Sequence, residues 1–166
     1  IRDSYKTTDS GVNYEHLSPE LDNAYITALV QGEQNPNIIY AGAGAAWTYA
    51  SAGFSGGSMY KSNDGGNNWN NISLKDSLGN VDQKFRSISR MVIDPNDDDI
   101  LTIATWAGSS LANDNAAGFI YRTEDGGNTW NEIYQAGPQE RITQLVSSPK
   151  DSKIIYASVS QVGVLK

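Results

Sequence analysis

The residues able to do chemistry lie in the stretches between strand-like runs. Asp76, Asp82, Asp114 and Glu140 are carboxylates of this kind. Cleaving a glycosidic bond takes two carboxyl groups roughly 5–10 Å apart across the sugar, one to protonate the leaving oxygen and one to act as base or nucleophile. Nothing in the sequence pairs these four. Trp47, Tyr49, Phe54 and Trp106 offer flat faces to a sugar ring or to a partner's apolar side chain, or else fold back as plugs over the strand ends. Arg86, Arg90 and Arg141 stand near the starts of strand-like runs, where they can grip a ligand or pair with neighbouring acids. The single histidine, His16, leaves no multi-histidine metal site and no convincing Ser-His-Asp spacing, and reads as a surface residue. Asp97-Asp98-Asp99 offers oxygen ligands but lacks the spacing and glycine of a calcium loop, so it reads as a solvated turn. Gly42-Ala43-Gly44 and Gly56-Gly57 lack the Lys-Ser/Thr and the following helix of a phosphate loop. With no cysteine there is neither a disulfide framework nor thiol chemistry. The reading therefore assigns no catalytic residue, no metal and no cofactor.

Charge narrows the partners. Nineteen acidic against twelve basic residues give a net charge of −7, with no basic patch to meet a phosphate backbone, so a nucleic-acid partner is disfavoured. No run approaches the roughly 20 apolar residues of a membrane-spanning helix.

The elements that must position these residues are set by one motif. Ser62-Asn63-Asp64-Gly65-Gly66-Asn67-Asn68-Trp69 recurs as Thr123-Glu124-Asp125-Gly126-Gly127-Asn128-Thr129-Trp130, and each copy joins two strand-like runs. Asp-Gly-Gly supplies positive-φ positions, and the aspartate accepts hydrogen bonds from the backbone of its own turn. A carboxylate held in that way is badly placed to move protons, so Asp64 and Asp125 read as structural. Ser62 and Thr123 assist the turn, Gly66 and Gly127 permit its geometry, and Trp69 and Trp130 turn apolar faces to the core. A third copy, Thr7-Thr8-Asp9-Ser10-Gly11-Val12-Asn13-Tyr14, departs at Ser10 and Tyr14.

This pattern resembles the Asp-box, or BNR, repeat of β-propellers, the group of sialidases, xyloglucan-active glycoside hydrolases, sortilin-type ectodomains and photosystem-assembly factors. The three copies begin at residues 7, 62 and 123 and cover nearly the whole chain. The resemblance implies an all-β propeller of four-stranded antiparallel blades with Asp-box hairpins. Rings of this kind close with about four to eight blades, and this chain supplies about three, as a segment of a larger propeller. The expected blade units are approximately 1-23, 24-86, 87-140 and 141-166. A sialidase's Arg-Ile-Pro signature is missing, since Arg141-Ile142 is followed by Thr143.

In register, Ile26-Thr27-Ala28-Leu29-Val30, Ile88-Ser89-Arg90-Met91-Val92 and Ile142-Thr143-Gln144-Leu145-Val146 read as buried innermost strands, each followed by a proline turn at Pro36, Pro95 and Pro149. Short turns then share one end of the blades and the long connections the other, where binding residues usually sit. The expected function is a non-catalytic, secreted or cell-surface recognition or scaffold module for a protein or polysaccharide partner, with further blades or another chain closing the ring. The alternative is part of a xyloglucanase-like or sialidase-like glycoside hydrolase. In the first reading Trp47, Tyr49, Phe54, Trp106, Arg86, Arg90 and Arg141 form the binding face, while Asp9, Ser62, Asp64, Gly66, Trp69, Thr123, Asp125, Gly127 and Trp130 hold the hairpins.

Overall fold

A computed structural model describes residues 4–17, 21, 26–44, 58–85, 87–107 and 116–166. Trp47, Tyr49, Phe54, Arg86 and Asp114 lie outside the described residues. The described chain folds into antiparallel sheets in simple up-and-down order. A hairpin of β1 (Ser4–Lys6) and β2 (Glu15–Leu17) comes first. Blade I holds β3 (Ile26–Gln31), β4 (Ile39–Ala43), β5 (Met59–Ser62) and β6 (Asn70–Asn71). Blade II holds β7 (Ile88–Asp94), β8 (Asp97–Trp106), β9 (Gly118–Thr123) and β10 (Asn131–Gln135). Blade III has β11 (Ile142–Ser147), β12 (Ile155–Val159) and β13 (Gly163–Leu165). Strand β3 packs beside β7, and β7 beside β11, so the first strands of the blades are neighbours.

Period-2 alternation sends each blade's side chains into two different seams. Leu101, Ile103, Phe119 and Tyr121 of blade II join Tyr40, Met59, Phe85, Ile88 and Met91 against blade I. Their sequence neighbours Ala104 and Ile120 face the other way and meet Ile142, Leu145, Ala157 and Val159 of blade III. Blade II is therefore buried on both faces, which explains strands that read as continuous apolar runs. The expectation of burial fails on β3, where Leu29 is 64% exposed, because among the described residues no complete blade covers that side.

All three repeats form the same turn. The Thr7, Ser62 or Thr123 hydroxyl donates to Oδ1 of Asp9, Asp64 or Asp125 (2.9, 2.8 and 2.7 Å) and accepts the N–H of Gly11, Gly66 or Gly127 (2.8, 2.9 and 2.9 Å). The same Oδ1 accepts the N–H of Asn13, Asn68 or Thr129 at 2.9 Å, and the side chains of those residues donate to Oδ2. Backbone φ values agree closely, 60° and 90° at Ser10 and Gly11, 73° and 95° at Gly65 and Gly66, and 70° and 94° at Gly126 and Gly127. Ser10 thus tolerates the left-handed conformation that glycine adopts more cheaply, and the first turn keeps its geometry. Its Tyr14 stays exposed, whereas the Trp130 indole donates to Ile72 O of blade I (2.8 Å) and packs edge-on to Phe85. A Cβ at Gly127 would run into Ile72, so that glycine also lets the hairpin lie flat on the neighbouring blade.

Each innermost strand carries a β-bulge at its second residue, Thr27, Ser89 and Thr143, where the register with the next strand slips. The bulged hydroxyl donates back to the second strand, at Gly42 O, Ala104 O and Ser158 O respectively. Thr27 Oγ1 also donates to Ile88 O of blade II, and Ser89 Oγ to Ile142 O of blade III (3.4 Å).

Each innermost strand is followed by a proline turn, with Pro36 three positions later in its loop than Pro95 and Pro149 are in theirs, as the pairings of Gln31 with Ile39, Ile93 with Leu101 and Ser147 with Ile155 require. One sequence expectation needs correction. Asp97-Asp98-Asp99 is not simply a solvated turn, because Asp98 is only 6% exposed. Its carboxylate reaches into the β3–β4 loop of blade I and accepts the N–H groups of Glu33 (2.8 Å), Gln34 (3.1 Å) and Asn35 (2.7 Å). Tyr40 OH donates to Asp98 O at 2.9 Å, and any side chain at Gly32 would strike the Asp98 carboxylate.

Asp98→Ala strands these three amides at the seam and is expected to cost about 1–3 kcal/mol in urea unfolding, against a smaller loss for Asp98→Asn. A second expectation concerns acid. Bonds from the Asn68 side chain and backbone, and from the Ser62 hydroxyl, hold Asp64 at about 2, below its ordinary 3.8. Thr129 and Thr123 hold Asp125 at about 2 in the same way. A carboxyl group lowered in the folded state contributes stability that is present above the unfolded value near 4 and lost as pH falls toward 2. The melting temperature of the wild type should therefore drop across that window, and the drop should be shallower in Asp125→Asn.

Candidate binding face

The aspartate turns and the first-to-second-strand loops share one end of the blades. Gly65 N–H donates to Asn37 O and Gly126 N–H to Asp99 O, fastening each turn to the start of its blade's second strand. The ends of β4 and β8 and the starts of β5, β7, β9 and β11 lie at the opposite end. Two residues expected at that end from the sequence come together there. Trp106 closes β8, its N–H donating to Ser87 O at 2.8 Å, and Arg141 lies with its guanidinium carbon 4.3 Å from the Trp106 ring centroid. Both are half-buried. A guanidinium at this distance is attracted by the ring quadrupole, by about 0.5–1 kcal/mol at exposed sites and more when desolvated.

The backbone around this pair is fixed. Arg141 N–H donates to Ser160 Oγ at 2.8 Å, and Arg141 O accepts the Ser160 N–H at 2.8 Å. The preceding loop is tied to β9 by Gly118 N–H to Glu140 O, and to the residues just before β9 by Gln139 N–H to Ala116 O. Arg90 stands apart on β7, its Nε donating to Gln144 Oε1 (2.8 Å) and its Nη1 to Ser89 O (2.6 Å), so it links the innermost strands of blades II and III.

The candidate carboxylates are engaged by their own loops. Asp76 Oδ1 accepts the N–H groups of Leu78 and Asn80, closing a small hairpin bridged at Lys75 and Val81. Asp82 caps the single-turn 3-10 helix Gln83–Phe85 through Lys84 N–H, and Glu140 Oε2 accepts Gly137 N–H at 2.7 Å. No two of these form a facing pair in any bond described, and among the described residues no group of three His, Asp or Glu side chains could hold a metal ion. His16 is exposed, its ring 5.3 Å from that of Tyr5.

One cluster escaped the sequence reading. Tyr121 OH donates to Glu132 Oε2 at 2.7 Å, Lys84 Nζ donates to the same oxygen at 2.8 Å, and the ammonium lies 4.9 Å from the Phe119 ring centroid. A tyrosine beside a carboxylate is the arrangement of a sialidase nucleophile, but Tyr121 is 2% exposed. Burial, with the bond to Glu132, pushes the phenol's pKa far above its ordinary value. Burial also raises Glu132, yet the bonds from Lys84 and Tyr121 outweigh it and leave that carboxyl lowered. A phenol that keeps its proton is a poor nucleophile, so this trio braces the seam between blades I and II. Tyr121 and Glu132 are cross-strand partners, a relation that only the register reveals.

No family model matches the chain, and no curated protein matches it in sequence. Solved structures do. The GH74 enzyme of Niastella koreensis matches with a TM-score of 0.69 and 17% identity, over 96% of this chain and 24% of that one. The GH74 xyloglucanase of Xanthomonas campestris gives 0.59 and 12%, over 95% and 22%. YCF48 bound to D1 peptide gives 0.55 and 20%, over 95% and 41%. The chain thus spans less than half the length of each of these structures. At such identities the likeness speaks for architecture, and together with the four-stranded antiparallel sheets it makes this chain a run of β-propeller blades.

Proposed function

We propose that the chain is part of an Asp-box propeller that acts as a non-catalytic recognition or scaffold module, secreted or displayed at a cell surface, and that binds a protein or glycan partner on its long-loop end. The observation that carries this reading is the Arg141–Trp106 stack on a hydrogen-bonded frame, an aromatic and cationic anchor of the kind that dominates recognition surfaces. It is supported by the described loop carboxylates, which serve their own turns rather than face one another. The neighbour YCF48, itself seen bound to D1 peptide, supports a protein segment as the kind of partner. Trp47, Tyr49, Phe54 and Arg86 belong to the same proposed face by their place in the sequence, and Arg90 to its inner rim.

A second reading is favoured by the likeness to GH74 enzymes, one of them a xyloglucanase. In that case the blades lend aromatic subsites to a hydrolase. Xyloglucan oligosaccharides and a bead-displayed peptide library, offered to the purified chain, separate the two. Retention of a peptide or sugar without release of reducing ends, weakened about tenfold or more by Trp106→Ala, as expected for loss of an anchor residue, supports recognition. Release of reducing ends from xyloglucan replaces it with the hydrolase reading. Trp106→Ala and Arg141→Ala should weaken binding by similar factors, since each removes one half of the stack.

A further inference from the structure

Asp64-Gly65 and Asp125-Gly126 have the aspartyl sequence most prone to a spontaneous backbone rearrangement. The amide nitrogen of the following glycine attacks the aspartate Cγ, forming an N–Cγ bond. A Cγ–O bond breaks in the protonated carboxyl group, and water leaves, made of that oxygen, the carboxyl proton and the amide proton. Water then adds to the resulting five-membered imide at the α-carbonyl and breaks its bond to that nitrogen. The chain now runs through the side-chain carbonyl as an isoaspartate. One water is lost and one regained, and no oxidant or reductant takes part. Glycine usually makes this fast, because nothing shields its nitrogen.

In this fold both reacting atoms are held. The nucleophile is occupied, since Gly65 N–H donates to Asn37 O at 2.9 Å and Gly126 N–H to Asp99 O at 3.0 Å. The electrophile is fixed, since the Asp64 oxygens are taken up by the Ser62 hydroxyl, Asn68 N–H and Asn68 Nδ2, and those of Asp125 by the Thr123 hydroxyl, Thr129 N–H and the Thr129 hydroxyl. The same bonds keep both carboxyls ionised, and an ionised oxygen is a poor leaving group. Asp64 is exposed and Asp125 half-buried, while Gly65 and Gly126, which carry the attacking nitrogens, are buried in the closed turn. The turn at Asp9-Ser10 has the carboxylate bonds, but among the described residues no carbonyl accepts the Ser10 N–H.

We infer that Asp64 and Asp125 are latent isoaspartate sites, which the folded turn protects with two separate restraints, on the glycine amide and on the aspartate carboxylate, and which become reactive when the turn opens. The modification would record loosening of a blade, because a β-linked residue lengthens the main chain where the turn requires the φ values of 73° and 70° at the following glycines.

The test incubates the folded chain and the same chain in denaturant at neutral pH, with isoaspartate at each site quantified by peptide mapping with electron-transfer fragmentation. Both Asp-Gly sites should convert at least about tenfold more slowly in the folded chain, the factor that a modest local-opening free energy supplies. Equal rates in the two states would overturn the proposal. Two variants separate local restraint from general stability. Asn68→Ala should speed conversion at Asp64 alone, and Thr129→Ala at Asp125 alone. A rise at both sites in either variant, or at neither, would assign the protection to global unfolding or to the amide bond alone and overturn the double restraint.

Discussion

The structure depends on an aspartate carboxylate that satisfies the backbone of its own turn. A four-stranded blade must reverse direction between its last two strands without leaving polar groups unpaired, because its neighbours exclude water from both faces. At Asp64 and Asp125 the carboxylate takes a hydroxyl from two residues before and an N–H from four residues after, and the Gly65 and Gly126 amides close the turn against the second strand. The tryptophan that follows takes one of two courses. Trp130 reaches the preceding blade, while the Trp69 indole bonds to Gly66 O of its own hairpin. In blade II the turn therefore stands beside both the end of the blade and part of its docking onto the blade before it.

The two blade seams solve one problem in opposite ways. Between blades I and II the acid sits on the following blade, and Asp98 reaches back into the amides of the β3–β4 loop. Between blades II and III it sits on the preceding blade at Asp94. Burial raises the carboxyl of Asp94, but bonds from Asn96 and Ser152 outweigh that and leave it lowered. Tyr40 fills the first seam, whereas Thr102, which pairs with Arg122 as Tyr40 pairs with Lys61, leaves a gap of about 10 Å³ in the second. That volume suits about one water. Lys61 spans the first seam to Asp99 at 2.7 Å, but Arg122 stays within its own blade at Glu124 and Thr102.

What could be read from the sequence was whatever a local repeat encodes. The hairpins followed from Asp-Gly-Gly, and the strand order followed from the recurrence of Ile-Thr/Ser-x-φ-Val, because these depend on near neighbours. The Arg141–Trp106 contact joins residues 35 positions apart across two blades, and the sequence indicated only that both lay at the same end. Asp98 was misread for the same reason. An Asp triplet after a proline looks solvated, and its partners, the amides at residues 33 to 35, are more than 60 positions away and carry no side-chain signature. The loop aromatics Trp47, Tyr49 and Phe54 fall outside the described residues, so their place on the binding face rests on sequence.

The bulged hydroxyls of Thr27 and Ser89 donate to main-chain carbonyls of the next blade, not to its side chains. A carbonyl is present whatever amino acid occupies the position, so this stitch makes no demand on the neighbour's identity. A gene segment encoding one blade could be duplicated, deleted or moved within the array and still find its acceptor, without a compensating substitution in the adjoining copy. Freed of that coupling, the copies can diverge one at a time, as the different seams at Asp98 and Asp94 show, while the number of blades remains open to change by recombination.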